Sequence, residues 1–251
     1  MLKVDEIGKE KLRARLEYLH DKFQLVEYPQ EALKRFGSSG DGGYVLAPAL
    51  IFPNSKVLSF GVGDDISFEN SLSDKVEEIH FYDHTVENLP NSLPNSVFFK
   101  LGISNEMHKN FKTIDTAISD LNVTSETNIL KIDIEGSEWK SIAACNSENL
   151  QKFSQIVIEC HDLISSLFSN SFESLRISIE KLMSSHVLVY KHANNFRSYK
   201  VIANIPIADV YEITLIRKDF CVNFERIPRC KKNPLETKNN HLGEDIVLCS
   251  V

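Results

Sequence analysis

The chain has 251 residues, of which 42% are hydrophobic and 25% charged, the profile of a globular protein with one full core and not of a disordered or fibrous chain. Lys and Arg number 28 against 35 Asp and Glu, for a formal net charge of −7, and the scattered basic residues form no stripe for nucleic acid. Five cysteines, Cys145, Cys160, Cys221, Cys230 and Cys249, contain no C-x-x-C pair, so neither a zinc knuckle nor a complete disulfide framework is expected, and a reducing cytoplasm fits best.

In chain order, Met1 to Glu6 lacks the apolar core of a secretory signal, and the longest apolar run, Tyr44 to Phe52, is too short to span a bilayer, so no membrane insertion is expected. Leu12, Leu16, Leu19, Phe23 and Leu25 recur at near-helical spacing among charges, which predicts an amphipathic helix from about Glu6 to Glu27, packed outside the main sheet. The Gly- and Ser-rich stretch Phe36 to Tyr44 reads as a loop, followed by a short strand to Leu46. From Lys56 onward strands and helices alternate. Strands are predicted near 56–60, 78–83, 96–100, 128–133, 155–160, 187–191 and 210–216, with helices at 66–76, 113–121, 138–144 and 172–185. This alternation predicts an α/β fold, a mainly parallel sheet covered on both faces. Residues 1–50 are expected to pack on a core of residues 51–219, with 220–251 as a tail of the same domain.

Val57-Leu58-Ser59-Phe60 followed by Gly61-Val62-Gly63-Asp64-Asp65 reads as a buried strand, a glycine turn and an acidic helix start. Such a turn leaves room for a nucleoside ligand beside an open helix N-terminus. Asp83 closes the next strand about twenty residues later, where the acid of a doubly wound fold meets ribose hydroxyls. Ile66 occupies the third glycine position of G-x-G-x-x-G, which argues against the rival reading, a nicotinamide oxidoreductase.

Strand Ile129 to Asp133 runs into Ile134-Glu135-Gly136-Ser137-Glu138, and strand Ile156 to Glu159 into Cys160-His161, so Asp133, Glu135, Glu159 and His161 gather at the carboxyl edge, where ligands bind in open α/β sheets. Carboxylates that end buried apolar strands are costly without a partner. Asp133, Glu159 and His161 suit magnesium or manganese better than structural zinc, with His161 or Glu135 as proton acceptor. The alternative is a metal-free site with His161 alone as base. His192, Asn194 and Asn195, in an expected loop, could orient a hydroxyl-rich acceptor, and Asp41 and Tyr44 could reach the mouth of the site.

Gly61-Val62-Gly63, Asp83, the block Lys131-Ile132-Asp133-Ile134-Glu135-Gly136-Ser137-Glu138, Ile158-Glu159 and His192-Ala193-Asn194-Asn195 together resemble the FkbM-type methyltransferases that use S-adenosylmethionine. The resemblance spans Arg35 to roughly Leu215. It implies a Rossmann-like class I methyltransferase sheet with an antiparallel last strand at Tyr211 to Ile216, helices on both faces and an N-terminal helical extension. It also implies O-methylation of a sugar or sugar nucleotide, often for a surface polysaccharide. The implied cofactor set is Ser59, Gly61, Val62, Gly63, Asp64, Glu69, Asp83, His84, Ile103, Ser104 and Asp133, with Asp83 at the ribose and Ile103 or Ser104 near the adenine. Asp133, Glu135 and Glu159 further resemble the magnesium-dependent macrocin-type enzymes, although His161 stands where a second carboxylate is expected. A homodimer contact through the N-terminal helix or the tail is a further expectation.

Overall fold

The computed structural model describes residues 6–123, 125–227 and 233–248; Cys230 and Cys249 lie outside them. Seven strands form the central sheet: β1 (Lys56–Phe60), β2 (Glu78–Tyr82), β3 (Ser96–Phe99), β4 (Asn128–Ile132), β5 (Phe153–Cys160), β6 (His186–Ala193) and β7 (Tyr211–Arg217). Their order across the sheet is β3-β2-β1-β4-β5-β7-β6. β1 to β5 pair in parallel, while β7 inserts antiparallel between β5 and β6. β1, β4, β5 and β7 are buried along their whole length, which is why they read as continuous Val, Ile and Leu runs and not as alternating patterns. The strand order reverses at β1 and β4, so a crevice opens past their carboxyl ends.

The two faces of this sheet are covered differently. Leu58, Phe60, Leu130, Ile132, Ile156 and Ile158 pack against helices α1 (Glu6–Lys22), α3 (Ile114–Leu121), α4 (Glu138–Ala144), α5 (Ser147–Leu150), α6 (Leu163–Leu167) and α7 (Phe172–Ser185), with α2 (Ser67–Asn70) on the opposite face. That opposite face, carrying Val57, Ile79, Ile129 and Val157, is otherwise closed by the hairpin Lys34–Phe36 with Tyr44–Leu46 and the turns that follow α2. Because side chains alternate along a strand, Ser59, Lys131 and Val157 share this thinly covered face, and Asp133 and Glu159 continue it at the carboxyl edge. The asymmetry leaves polar groups reachable beside the crevice.

Local chemistry sets the helix limits. Thr113 caps α3 through a reciprocal pair with Thr116, at 3.0 and 3.3 Å, and Asn122 ends it in the left-handed region at φ 48°. Between them Ile114, Ala117, Ile118 and Leu121 are buried on one stripe, each large side chain contributing about 1.5–3 kcal/mol.

Two sequence expectations are corrected here. The helix expected over 66–76 is a single turn, because Ser71 and Ser73 hydroxyls donate to Phe68 O and Asn70 O at 2.6 and 2.9 Å and so compete with the helical ladder. The N-terminal helix stops at Lys22 and not at Glu27: Leu25–Val26 instead pairs as a short strand with Arg226–Ile227 from the tail. Leu16 and Leu19 of this helix, with Phe23 just past its end, belong to the main core. A hairpin, Tyr199–Ile202 with Ile205–Ala208, was not foreseen; it turns on Ala203 and Asn204 at φ 49° and 66°, without the Asn-Gly pair that usually marks such turns.

Candidate active site

A cleft of about 470 Å³ lies past the carboxyl ends of β1, β2 and β4. Of the expected site residues, Asp41, Gly61, Val62, Gly63, Asp64, Asp83, His84, Ile103, Asp133 and Glu135 line it. The glycine turn is built by close approach. Gly61 (φ +73°) passes so near β4 that an added Cβ would stand 1.5 Å from Asp133 O, whereas a Cβ on Gly63 (φ +58°) would meet no protein atom within 4 Å. The first glycine is required by the protein itself; the second keeps the cleft open for a ligand that approaches the backbone closely.

Asp83 holds this turn. One carboxylate oxygen accepts from Val62 N and Gly63 N at 2.8 and 2.9 Å, and the other accepts from Thr85 N and Oγ1 at 2.7 and 2.6 Å. Burial opposes its ionisation, but the donated bonds from Gly63, Thr85 and Val62 outweigh it and bring the pKa down to about 2. Asp83, expected at the ribose, is also the anion around which the glycine loop folds. Beyond it, His84 and Phe111 face each other with ring centroids 4.7 Å apart, and Phe111, which sequence reasoning missed, lines the cleft near Gly102 and Ile103.

Other expected cofactor residues sit behind the wall. Glu69 is 1% exposed and accepts from Ser59 Oγ at 2.5 Å, so neither faces the cleft. The expected open helix N-terminus is the single turn of α2, and its first amide, Ser67 N, is already taken by Asp65 Oδ1 at 2.7 Å. Ser104 is not among the lining residues; its amide pairs with Lys112 O at 2.9 Å. The group that does connect Glu69 to the cleft is Lys131, buried on β4. Its Nζ donates to Gly61 O and lies 4.0 Å from Glu69 and 3.8 Å from Asp133. A lone lysine inside the run Ile129 to Ile132, two residues before Asp133 and on the same face, is the signal that could have found it.

A second constellation adjoins the cleft where β4 and β5 end. Asp133 accepts from the Tyr44 hydroxyl at 2.8 Å, which places Tyr44 behind Asp133 and not at the mouth. Asn194, sealed at 3% exposure, donates to Glu159 Oε1. His161 follows β5, with Nδ1 2.9 Å from Glu138 Oε1 and Nε2 3.6 Å from Glu135 and 3.9 Å from Glu159. Glu138, fully buried at the start of α4, also accepts from the amides of Ile134 and Gly136 at 3.0 Å, and so ties the loop after β4 to the imidazole. Glu135 stands out from this loop with its side chain 80% exposed, on a left-handed backbone at φ 53°.

The electrostatics revise one role. Burial pushes the His161 pKa down, but Glu138 and the charges of Glu159 and Asp133 raise it to about 10. Without a cation the ring therefore holds its proton at neutral pH; a divalent ion would displace the proton from Nε2 and leave the one on Nδ1 with Glu138, and in both states the expected role of proton acceptor falls to Glu135, a carboxylate that lines the cleft. Glu159 moves the opposite way to an ordinary paired acid: burial, then repulsion from Asp133, raise its pKa. Asp133, Glu159 and His161 each offer one ligand atom, all within 4.8 Å of one another. With Nδ1 bonded to Glu138, Nε2 is the nitrogen turned to this cluster, the arrangement in which a carboxylate orients a metal-binding imidazole. The donor set fits a hard divalent cation.

The expected acceptor residues after β6 are placed differently. His192 is inside the strand and not in a loop; it is fully buried, with Nδ1 3.6 Å from Glu236. Asn195 is engaged by the tail, donating to Asn240 O and Glu244 O at 2.8 and 3.1 Å and accepting from Asn240 N at 2.7 Å. Asn239 from the same tail donates to Glu212 and, at 3.2 Å, to Asp41. The tail was not readable as a site element because its residues carry no periodicity.

No helix among the described residues is long and apolar enough to cross a membrane. No curated protein matches the chain. Similar solved structures include the Streptococcus mutans protein SMU.1697c, proposed to be a methyltransferase and solved in complex with SAH, at 11% identity, 66% of this chain and 88% of that one, with a TM-score of 0.38. They also include an rRNA methylase from Streptococcus thermophilus at 10% identity, 67% and 90% coverage and a TM-score of 0.39. Fibrillarin in its complex with Nop5p gives 10% identity, 66% and 73% coverage and a TM-score of 0.39. The family described as "Methyltransferase domain" (Methyltransf_22) matches residues 11–217. The chain thus belongs to this methyltransferase-domain family, whose methyl donor is S-adenosylmethionine.

Proposed function

We propose that the protein is an FkbM-type O-methyltransferase that methylates a sugar hydroxyl, with a magnesium or manganese ion held by Asp133, Glu159 and His161 Nε2. The observation that carries this reading is the placement of His161, anchored through Nδ1 to buried Glu138 and turned through Nε2 toward two carboxylates at the edge of the glycine-turn cleft. When bound, the donor supplies an electrophilic methyl: the acceptor oxygen bonds to it as the carbon–sulfur bond breaks, the electron pair passes to sulfur, and the hydroxyl proton must go to the protein. The ion, when bound, supplies a Lewis acid that lowers the pKa of a hydroxyl.

The chain's own residues supply the rest. Gly63 leaves the cleft open, Asp83 fixes the turn around Val62 and Gly63, and Ile103 and Phe111 give an apolar wall. Glu135 takes the proton, because it is exposed to the cleft while His161 is held by Glu138. Positioning of this kind is worth several kcal/mol, up to about 7–11 at the limit, and general-base assistance a factor of about 10² to 10⁴. The test is transfer of a radiolabelled methyl group from the donor to a panel of free sugars, glycosides and nucleotide-linked sugars, with and without a chelator. Label in a sugar ether, lost with chelator and restored by manganese, is the expected result. Label confined to protein, nucleic acid or an amine nitrogen would overturn it.

A further inference from the structure

The charge around the cleft narrows the acceptor, given the sugar-methylating reading above. Six carboxylates line it: Asp41, Asp64, Asp65, Asp83, Asp133 and Glu135. Lys131 and His84 are the basic residues of that lining, and neither is placed to receive an anionic acceptor. The Lys131 ammonium is buried, bonded to Gly61 O, and shared between Glu69 and Asp133. His84 stands at the far end, against Phe111. Arg35, behind the Asp41 loop, spends its guanidinium on Ser38 O and Gly40 O at 3.1 and 2.7 Å and lies 3.5 Å from Glu212. His161 faces carboxylates on both nitrogens. A divalent ion and a sulfonium would still leave the rim acidic.

We infer that the acceptor is a polyol carrying an amine, an amino sugar in type, and not a phosphate-linked one. Asp41 is the group that would recognise the ammonium. It is exposed in the lining and steadied from outside by Asn239, which reaches its Oδ1 at 3.2 Å while Oδ2 meets no donor among the described residues. A steadied carboxylate with one open oxygen suits a charged N–H donor. A sugar diphosphate would instead bring its own negative charges against these carboxylates with no guanidinium or ammonium in the lining available to receive them among the described residues, and like-charge juxtaposition of this kind rejects ligands.

The experiment compares glucosamine, glucose, glucose 1-phosphate and UDP-glucose as acceptors of labelled methyl, at fixed ionic strength with manganese present. Glucosamine should show a KM about tenfold below that of glucose, the scale of one hydrogen bond to a charged group, with no transfer to the two phosphorylated sugars. Asp41→Asn should erase the preference for glucosamine over glucose. Equal or better use of UDP-glucose or glucose 1-phosphate overturns the inference. Should no sugar take label, the methylation reading itself fails, and saturation-transfer NMR on the protein loaded with S-adenosylhomocysteine decides the charge question separately. Saturation of glucosamine without the phosphorylated sugars upholds it. Silence from glucosamine, or saturation of UDP-glucose, sinks it.

Discussion

Glu138 and His161 form a buried pair at 2.9 Å, and the same Glu138 carboxylate receives the amides of Ile134 and Gly136. One side chain therefore fixes both the ring orientation of His161 and the path of the loop that carries Glu135. Glu138→Gln keeps the size and one acceptor oxygen but loses the second and, with it, the negative charge that holds the ring's Nδ1 proton. Manganese affinity and turnover are expected to fall by about 10–100-fold, with binding of S-adenosylhomocysteine retained. Electron paramagnetic resonance of added manganese and calorimetry with the homocysteine ligand check both halves. Unchanged manganese affinity would remove Glu138 from the role of orienting a metal-binding imidazole.

Lys131 makes a second buried electrostatic node, 4.0 Å from Glu69 and 3.8 Å from Asp133. Both Lys131 and Glu69 are nearly inaccessible, so removing the ammonium strands a carboxylate beneath the glycine turn. Lys131→Met should destabilise the protein by about 3–5 kcal/mol, and the double change with Glu69→Gln should recover a large part, because a buried pair is worth less than the penalty of breaking it. Urea unfolding of the three variants measures this. Additive losses would show that the two residues act independently.

The sheet was legible because its evidence is local. Buried Ile and Val runs bounded by Gly and acidic residues gave all seven strands, and the antiparallel placement of Tyr211–Arg217 followed from the family resemblance. The glycine turn with Asp83, and the gathering of Asp133, Glu159 and His161, follow from strand ends meeting at one edge. What was not legible depends on contacts distant in sequence. Nothing near Glu69 reveals that Ser59 and Lys131 enclose it, and nothing near Asn195 reveals that Asn240 binds it from 45 residues away. The protonated state of His161 was missed for the same reason: it is set by Glu138, 23 residues earlier in the chain.

His186 opens β6 as a fully buried imidazole. Nε2 donates to Phe153 O at 3.0 Å and Nδ1 accepts from the Ser185 hydroxyl at 2.8 Å, the pairing of a neutral ring. Burial lowers its pKa to about 4. An imidazole depressed on folding is protonated more readily in the unfolded chain, so its contribution is fully present above pH ~6.5 and is lost as pH falls toward 4. The loss amounts to about 3 kcal/mol at the low end. The buried acids Glu159 and Glu212, whose pKa values are raised by burial, slope in the opposite sense, so the prediction is made on a difference. Wild type minus His186→Gln, followed by urea unfolding from pH 7 to 4, should decline with acid. A pH-independent difference would contradict the assigned protonation.

The two glycines of the turn separate folding from ligand binding. Alanine at 61 would drive a methyl group to 1.5 Å from Asp133 O, at the junction where Asp133 N also bonds Phe60 O. The ends of β1 and β4 must then part, and Gly61→Ala is expected to cost about 4 kcal/mol or more. Alanine at 63 meets nothing within 4 Å and bears only the left-handed backbone, about 1–2 kcal/mol. That variant should fold with a melting point lowered by only a few degrees. Its methyl group, however, stands in the cleft, so affinity for S-adenosylhomocysteine should drop about tenfold, the equivalent of about 1.4 kcal/mol. Differential scanning fluorimetry with and without S-adenosylhomocysteine distinguishes the two effects. If Gly63→Ala binds as tightly as wild type, the donor does not lie against this turn, and the assignment of the cleft fails with it.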